Sequence, residues 1–411
     1  MEAKFINHAC IEVSSEKVKI LFDPWFEKSV FNHSWDLLKE SEISELELDD
    51  VTHIVISHEH PDHLNWPTLK LIQEKSKNEN SIDVIMFQRN DDNVANELKK
   101  IGFNPVFLPV GDFVMARDHQ NEEDFTICFF RKGHDSAIYL ELDNKSLLNI
   151  NDCEFDKNEL NIIKKTILEN RKNITKIDYM FRQFSLAGYY GNKDNSTVLQ
   201  KSKNKHINDF LNSIEAIKPK VAVPFASYIY FSRKENDFLN NYIVSPLELL
   251  AFNKKQNIFV PFMNEIVPLR KNSKRSVKNA HKWDSLINKH TKTEKNAAPI
   301  ISEEHLKTAF HNFMNLCNMH KNYYYKPIPN HIFTLNIDDT KSCKFNFWDG
   351  QISFFNKKDS DAAADVSSYD LKFFFDFLWG ADTLNITSCF TIHDTYTWTT
   401  LLKFKDSFYV K

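Results

Sequence analysis

A chain of 411 residues is too long for one compact core, and its 42% hydrophobic and 26% charged residues are the make-up of an ordinary globular protein. With 52 Lys+Arg against 56 Asp+Glu the net charge is −4, so nothing electrostatic points to a nucleic acid or an anionic membrane as partner. Seven glycines form neither GxGxxG nor GxxxxGK[ST], which argues against a nucleotide cradled by those loops.

Six cysteines (Cys10, Cys128, Cys153, Cys317, Cys343, Cys389) are scattered without the regularity of a disulfide framework. The N-terminus, MEAKFINHACIEV, has no apolar core of signal-peptide length, and no later stretch is apolar enough to span a bilayer. The expected setting is the reducing cytoplasm.

In chain order, Phe5–Val13 and Lys17–Asp23 alternate like two strands around Ser-Ser-Glu, a sequence suited to a tight turn. Asp23-Pro24 ends the second, because proline has no N–H for a ladder. Thr52–Ser57 (THIVIS) reads as a short buried strand that stops at the polar cluster HEHPDH, and Trp66–Lys75 has a helical pattern. A strand is predicted at Ile82–Phe87, a helix at Asp91–Ile101 and a strand at Pro105–Pro109. Strands at Phe125–Arg131, Ala137–Leu142 and Ser146–Ile150 precede a helix at Lys157–Leu168 and a strand near Lys176–Phe181. A helix at Asn208–Ile217 then feeds a strand at Val221–Phe225. Interleaving of this kind predicts a layered α/β domain over residues 1–270.

Residues 271–299 are charged and poorly periodic and read as a linker. Residues 300–411 then form a smaller α+β unit. It opens with a helix at Ser302–His320, whose Leu306, Phe310, Phe313 and Leu316 share one face. Strands follow at Ile332–Ile337, Cys343–Trp348 and Gln351–Phe355, the last two joined at Asp349-Gly350, and a helix near Ser368–Leu378 and further strands close the chain. The aromatic richness of this unit (Tyr323–Tyr325, Phe373–Phe375, Trp379, Trp398) is read as core packing in preference to a ligand groove.

Chemistry concentrates in SHEHPDHL, Ser57 to Leu64, where His58, His60, Asp62 and His63 are spaced H-x-H-x-D-H. On a loop capping a buried strand, alternate residues point the same way. His58 and His60 can therefore share one ion while Asp62 and His63 face a second position. Imidazole and carboxylate suit Zn, Fe or Mn, and the lack of cysteine argues against a closed structural zinc site.

H-x-H-x-D-H is the signature of the metallo-β-lactamase superfamily, and the chain resembles that superfamily here. The resemblance implies an αββα sandwich binding one or two transition-metal ions. It also implies His134, in RKGHDSAIYL, as the third ligand of the first metal, and Asp152, in LLNINDC, as a bridge between two ions. The final histidine usual in the superfamily is missing: VAVPFASYIYF puts Ala226 or Ser227 there, and His206 sits before a helix.

Several segments together are similar to the metallo-β-lactamase portion of the CMP-N-acetylneuraminate hydroxylase family. These are His8–Phe26, Ile56–Ile72, Asp135–Cys153, Val223–Phe231 and the late SYDLKFFFDFLWGADTLNI. That family carries an N-terminal Rieske domain, whose ligands are Cys-x-His and Cys-x-x-His pairs. Here the chain begins at the first strand of the metal domain. Its Cys317-x-x-His320 has no Cys-x-His upstream and reads as helix packing, so electrons would come from a separate electron-transfer protein or from the substrate.

His8 resembles a position facing the active site in relatives, and Asp23 is expected under the metal loop, orienting a ligand histidine. Arg182, Tyr189 and Tyr190 are placed in a loop after a strand, suited to substrate contact, and Tyr228 is expected to line the pocket. The resemblance favours an O₂-dependent iron hydroxylase acting on a sugar-nucleotide-like or acylated small molecule. The alternative is a zinc hydrolase of a phosphodiester, ester, lactone or amide, with Asp62 orienting the attacking water.

Overall fold

The computed structural model describes residues 1–77, 82–88, 92–117, 124–252, 257–270, 272–319 and 331–406. Strands β1 (Glu2–Asn7), β2 (Cys10–Ser14) and β3 (Lys19–Phe22) form an antiparallel run, with a short β4 (Trp35–Leu37) after it. The single strand expected over Phe5–Val13 is thus two, because the chain reverses at His8, whose φ is 35°. β5 (His53–Val55), α1 (Trp66–Lys75), β6 (Asp83–Phe87), α2 (Asn93–Lys100) and β7 (Asn104–Leu108) continue as parallel β-α-β units. β8 (Val114–Arg117), β9 (Asp124–Lys132), β10 (Asp135–Leu142) and β11 (Lys145–Asn151) then form an antiparallel meander. After α3 (Lys157–Asn170), β12 (Tyr179–Gln183), α4 (Ser196–Ile217) and β13 (Val221–Phe225) extend that sheet in parallel, and β14 (Ile229–Phe231) pairs with β4. α5 (Pro246–Phe252) and β15 (Glu265–Ile266) end this portion.

Two sheets result, ordered β15-β1-β2-β3-β5-β6-β7 and β13-β12-β11-β10-β9-β8. The first is buried on both faces, and its residues sort by parity. Ile11, Val13, Ile20, Phe22, Val55, Ile85 and Phe87 join the core shared with the second sheet. Cys10, Leu21, Ile54, Ile56, Val84 and Met86 pack with Leu69 and Ile72 of α1 and Val94 and Leu98 of α2. A period of two with both sets apolar is what a sheet covered on both sides requires. On the other side α4 lies against β12 and α3 packs on α4, which completes an αββα sandwich. No described helix is long and apolar enough to cross a membrane.

The segment expected as a charged linker contains a 20-residue helix, α6 (Ser273–Lys292). Ser276, Asn279, Ala280, Trp283 and Ile287 make a buried stripe at helical spacing, and Trp283 Nε1 donates to the Pro261 carbonyl at 2.8 Å. The high charge of this stretch lies on the other faces of the helix and masks the stripe in a composition-level reading.

The remaining unit comprises α7 (Glu303–Met319), β16 (Phe333–Ile337), β17 (Lys341–Asn346), β18 (Gln351–Phe355), β19 (Ala364–Val366), α8 (Ser368–Asp376), α9 (Gly380–Thr387), β20 (Phe390–Ile392) and α10 (Thr395–Asp406). Its sheet runs β18-β17-β16-β19-β20, and its core gathers Phe310, Phe313, Phe345, Phe374, Phe375 and Trp398, as expected of packing aromatics. Trp379 is an exception, at 45% exposure. Tyr323–Tyr325 and His320 of the Cys317/His320 pair lie outside the described residues, as does the Cys317 side chain.

This unit is docked by a buried ion pair. Arg233 donates from Nη1 and Nη2 to the two carboxylate oxygens of Asp370 at 2.7 and 2.8 Å, and Asn32 adds a bond to Asp370 at 2.8 Å. Asn236 Nδ2, itself buried, donates to the Thr387 carbonyl at 2.9 Å.

Candidate metal centre

At one end of the sandwich several strands stop at residues with left-handed backbone: His8 (φ 35°), Asp23 (41°), Asn151 (57°) and Ala226 (45°). A residue with a β-carbon pays about 1–2 kcal/mol for that conformation, less for Asp and Asn. Strain of this kind gathers where geometry is imposed by function. The four ends are tied together: Ala226 N–H donates to the His8 carbonyl at 2.9 Å, and Asn151 Nδ2 to Asp23 at 2.6 Å.

The H-x-H-x-D-H loop leaves β5 and curls because the N–H groups of His63 and Leu64 both donate to the His60 carbonyl, at 2.9 and 2.7 Å. Asp23 sits beneath it, as the sequence led one to expect. Its carboxylate accepts from Ser57 N and Oγ, both at 2.7 Å, and from His63 Nδ1 at 3.0 Å. With Nδ1 occupied by Asp23, the Nε2 of His63 faces the site.

The donor atoms form one continuous run. His8 Nε2 is 3.2 Å from Asp62 Oδ2, and His63 Nε2 is 3.4 Å from both Asp62 Oδ2 and Asp152 Oδ2. His58 Nε2 lies 3.7 Å from Asp152 Oδ2, 3.6 Å from Asp135 Oδ1 and 2.8 Å from His60 Nδ1. His60 Nε2 meets Asp382 Oδ2, of α9, at 3.1 Å. Three overlapping groups follow: His8/Asp62/His63, His58/His63/Asp152 and His58/His60/Asp135. Each offers two imidazoles and one carboxylate. Ligands about 2.1 Å from a common ion stand roughly 3.0–3.4 Å apart, close to these separations.

Whether the residues fit a metal is decided by what they leave unsatisfied. Among the described residues, Asp62 Oδ1, His63 Nε2 and Asp152 Oδ1 are buried without a hydrogen-bond partner, a costly state for polar atoms. The carboxylates of Asp23, Asp62, Asp135, Asp152 and Asp382 are met in ion pairs only by histidines among the described residues. A cation among these atoms offsets both costs, so the donor set fits transition-metal ions.

The carboxylates set the electrostatics. Against burial, Asp382 lifts His60 to about 9, and Asp62, Asp152 and Asp23 lift His63 well above its ordinary value, so protons stand on these imidazoles where a cation would otherwise sit. Burial opposes charge on Asp62, but His63 and His8 hold its carboxyl well below the usual range. Burial and the neighbouring His63 bring His58 down to about 3, leaving the neutral imidazole that ligates metals. Burial and Asp152 push Asp135 up to about 7, the mark of two carboxylates sharing one space. Burial also lifts the Cys153 thiol well above its ordinary value, so it supplies no thiolate.

The structure brings His58, His60, Asp62, His63, Asp152, His8 and Asp23 together. His134 is in none of the three donor groups, although its imidazole is near enough to Asp382 to help His60 hold that carboxyl down against burial. Lys132 pairs with Asp135 across a two-residue turn of Gly133, at φ 65°, and His134, and the imidazole is exposed at its tip. Asp135, the first residue of β10, stands at the site in its place. Arg182 lies in β12, not in a loop, and is buried with Nη2 donating to the Phe155 carbonyl at 3.1 Å. It pins the turn after Asp152. Tyr189 and Tyr190 do follow that strand, but Tyr190 bonds His206 Nε2 at 2.9 Å, and His206 sits inside α4 rather than before a helix. Tyr228 is core, wedged against Phe5 and Trp283 with its hydroxyl on the Pro224 carbonyl. At the place of the missing final histidine, Ala226 brings only its backbone, while Ser227 Oγ accepts from the N–H groups of Phe184 and Ser185.

Sequence reasoning missed Asp135, Asn151 and Asp382. The first two adjoin residues already singled out, and strand register was the signal that would have chosen between neighbours. Asp382 is 322 residues from His60, and although it falls in the late segment SYDLKFFFDFLWGADTLNI, nothing there tied it to the metal loop.

Residues 2–158 match the family model described as "Beta-lactamase superfamily domain". Among curated proteins, the cytidine monophosphate-N-acetylneuraminic acid hydroxylase of Danio rerio is 24% identical over 267 residues, covering 61% of this chain and 42% of that protein. The protein of the same name from Xenopus laevis is 25% identical over 56% of this chain and 38% of its own length. The matched stretch therefore spans about two fifths of these relatives. A solved isothiocyanate hydrolase from Delia radicum gut bacteria superposes with a TM-score of 0.43 at 13% identity, covering 65% of this chain and 99% of its own. By its matched segment, its sheet order and its H-x-H-x-D-H loop, the N-terminal portion of this chain has the αββα fold of the metallo-β-lactamase superfamily and is similar to it over residues 2–158.

Proposed function

We propose that the chain is an iron-dependent, O₂-using hydroxylase of a sugar-nucleotide-like or acylated small molecule. The observation that carries it is the composition of the three donor groups, each two histidines and one carboxylate with no thiolate. That is the ligand set of non-haem iron oxygenases. The likeness to hydroxylases of CMP-N-acetylneuraminate supports the same reading and suggests that substrate class.

When bound, iron supplies the activation of O₂. Overall, R–H + O₂ + 2e⁻ + 2H⁺ gives R–OH + H₂O, with the two electrons from a separate electron-transfer protein. The chain's own residues hold and orient. His58, His60 and Asp135 would hold one ion, and His63, Asp152, Asp62 and His8 a second. Asp23 fixes the tautomer of His63. The ionised Asp62 is positioned to take or return a proton at Oδ2, which stands 3.2 Å from His8 Nε2. Trp25 against His8 and Phe31 against His60 wall the site with apolar rings.

The test is to supply Fe²⁺-loaded protein with a chemical reductant, CMP-N-acetylneuraminate and ¹⁸O₂, and to follow the substrate by mass spectrometry. A product carrying one ¹⁸O supports the proposal. Imidazole and carboxylate also suit zinc, so a hydrolase is the second reading. Turnover of ester or phosphodiester substrates by Zn²⁺-loaded protein without O₂, and no ¹⁸O product from the iron form, would establish it instead.

A further inference from the structure

We propose that the C-terminal unit completes the metal centre: Asp382 on α9 accepts the Nε2–H of His60 and so presents His60 Nδ1, beside His58 Nε2 and Asp135, as a ligand atom. This rests on the metal-centre reading above and adds a positioning residue to it.

The two nitrogens of His60 are divided between two neighbourhoods. Nδ1 is 2.8 Å from His58 Nε2, inside the donor group, and Nε2 is 3.1 Å from Asp382 Oδ2. A neutral imidazole has one proton. For Nδ1 to offer its lone pair to an ion, that proton must sit on Nε2, where the carboxylate stands. A histidine ligand whose other nitrogen donates to a carboxylate is held in one tautomer and one ring orientation. The Phe31 ring, 5.9 Å from that of His60, packs on it as well.

Asp382 is itself fixed at both ends of its helix. At the start, a β-carbon on Gly380 would stand 2.6 Å from the Phe374 carbonyl oxygen, so glycine lets α9 seat directly on α8. At the end, Asn236 of the sandwich holds the Thr387 carbonyl, and the Arg233–Asp370 pair clamps α8. The carboxylate is half exposed, which makes it replaceable without opening a core.

The test titrates metal-free protein with Co²⁺ against a competing chelator, following the visible absorption of the bound ion. The expected result for Asp382→Ala is a loss of about 10–100-fold in Co²⁺ affinity at one position with a changed absorption band, while the melting temperature of the metal-free protein stays put. Asp382→Asn, whose amide oxygen still accepts from Nε2–H, restores most of that affinity. Asp382→Lys, acceptable at a half-exposed helical position, serves as a second removal of the acceptor and loses at least as much. Co²⁺ affinity and spectrum equal to the parent in the Ala and Lys variants overturn this inference alone. A parent protein that takes up no Co²⁺ overturns the metal-centre reading and this inference with it.

Discussion

Asp23 and Asp370 are the two carboxylates most completely buried in separate parts of the molecule, at 0% and 1% exposure, and both are ringed by donors. Their partners differ in charge. Asp370 faces a guanidinium held in two parallel bonds and is neutralised where it stands. Asp23 faces a serine, an asparagine and a histidine, none of which is a permanent cation. One carboxylate is spent on docking the C-terminal unit. The other leaves negative charge under His63, and with Asp62, Asp135 and Asp152 it makes a region that a divalent ion would complete. The contrast teaches that burial alone does not mark a functional carboxylate; the absence of a fixed cation beside it does.

The comparison breaks most readily at the docking pair. Arg233→Ala leaves Asp370 buried and unpaired, and should cost about 3–5 kcal/mol in urea unfolding. A loss below about 1 kcal/mol would mean that the pair does not clamp the C-terminal unit. Asp23→Ala should behave differently. Folding stability falls by about 1–3 kcal/mol as its donors lose their acceptor, whereas metal affinity, read by chelator competition, falls about 10–100-fold. Equal metal affinity in that variant would remove Asp23 from the site. Gly380→Ala forces α9 off α8 and should cost about 1–3 kcal/mol, accompanied by weaker metal binding because Asp382 moves with the helix. The smallest effect is expected at Asn65, whose Oδ1 caps α1 by accepting from Thr68 N–H at 3.1 Å. Asn65→Ala should cost about 1 kcal/mol through the lost cap, read by thermal melting.

The sandwich was legible because its strands are short, apolar and separated by helices with clear stripes, and the metal loop because four ligand-type side chains fall within six positions. What local sequence lacked was register. The turn at His8 breaks no hydrophobic pattern, since Phe5 and Ile11 are buried in either reading. His134 and Asp135 are adjacent, and only the pairing of Lys132 with Asp135 shows which of them leads the strand. Arg182 was taken for a loop residue because an arginine seldom sits in a buried strand, yet its guanidinium reaches the Phe155 carbonyl. The α6 stripe was hidden by the charge around it. Asp382 was illegible for a simpler reason, because its place at His60 depends on how a separate unit docks.

The central claim is that the clustered histidines and carboxylates at this end of the sandwich hold metal. Its most direct test is anomalous X-ray scattering at the iron edge from crystals of protein loaded anaerobically with Fe²⁺. The expected result is one or two peaks, each within about 2.0–2.3 Å of donor atoms, one flanked by His58, His60 and Asp135 and the other among His63, Asp152, Asp62 and His8. Peaks placed elsewhere, or none at full occupancy of Fe²⁺ in the soak, would contradict the account.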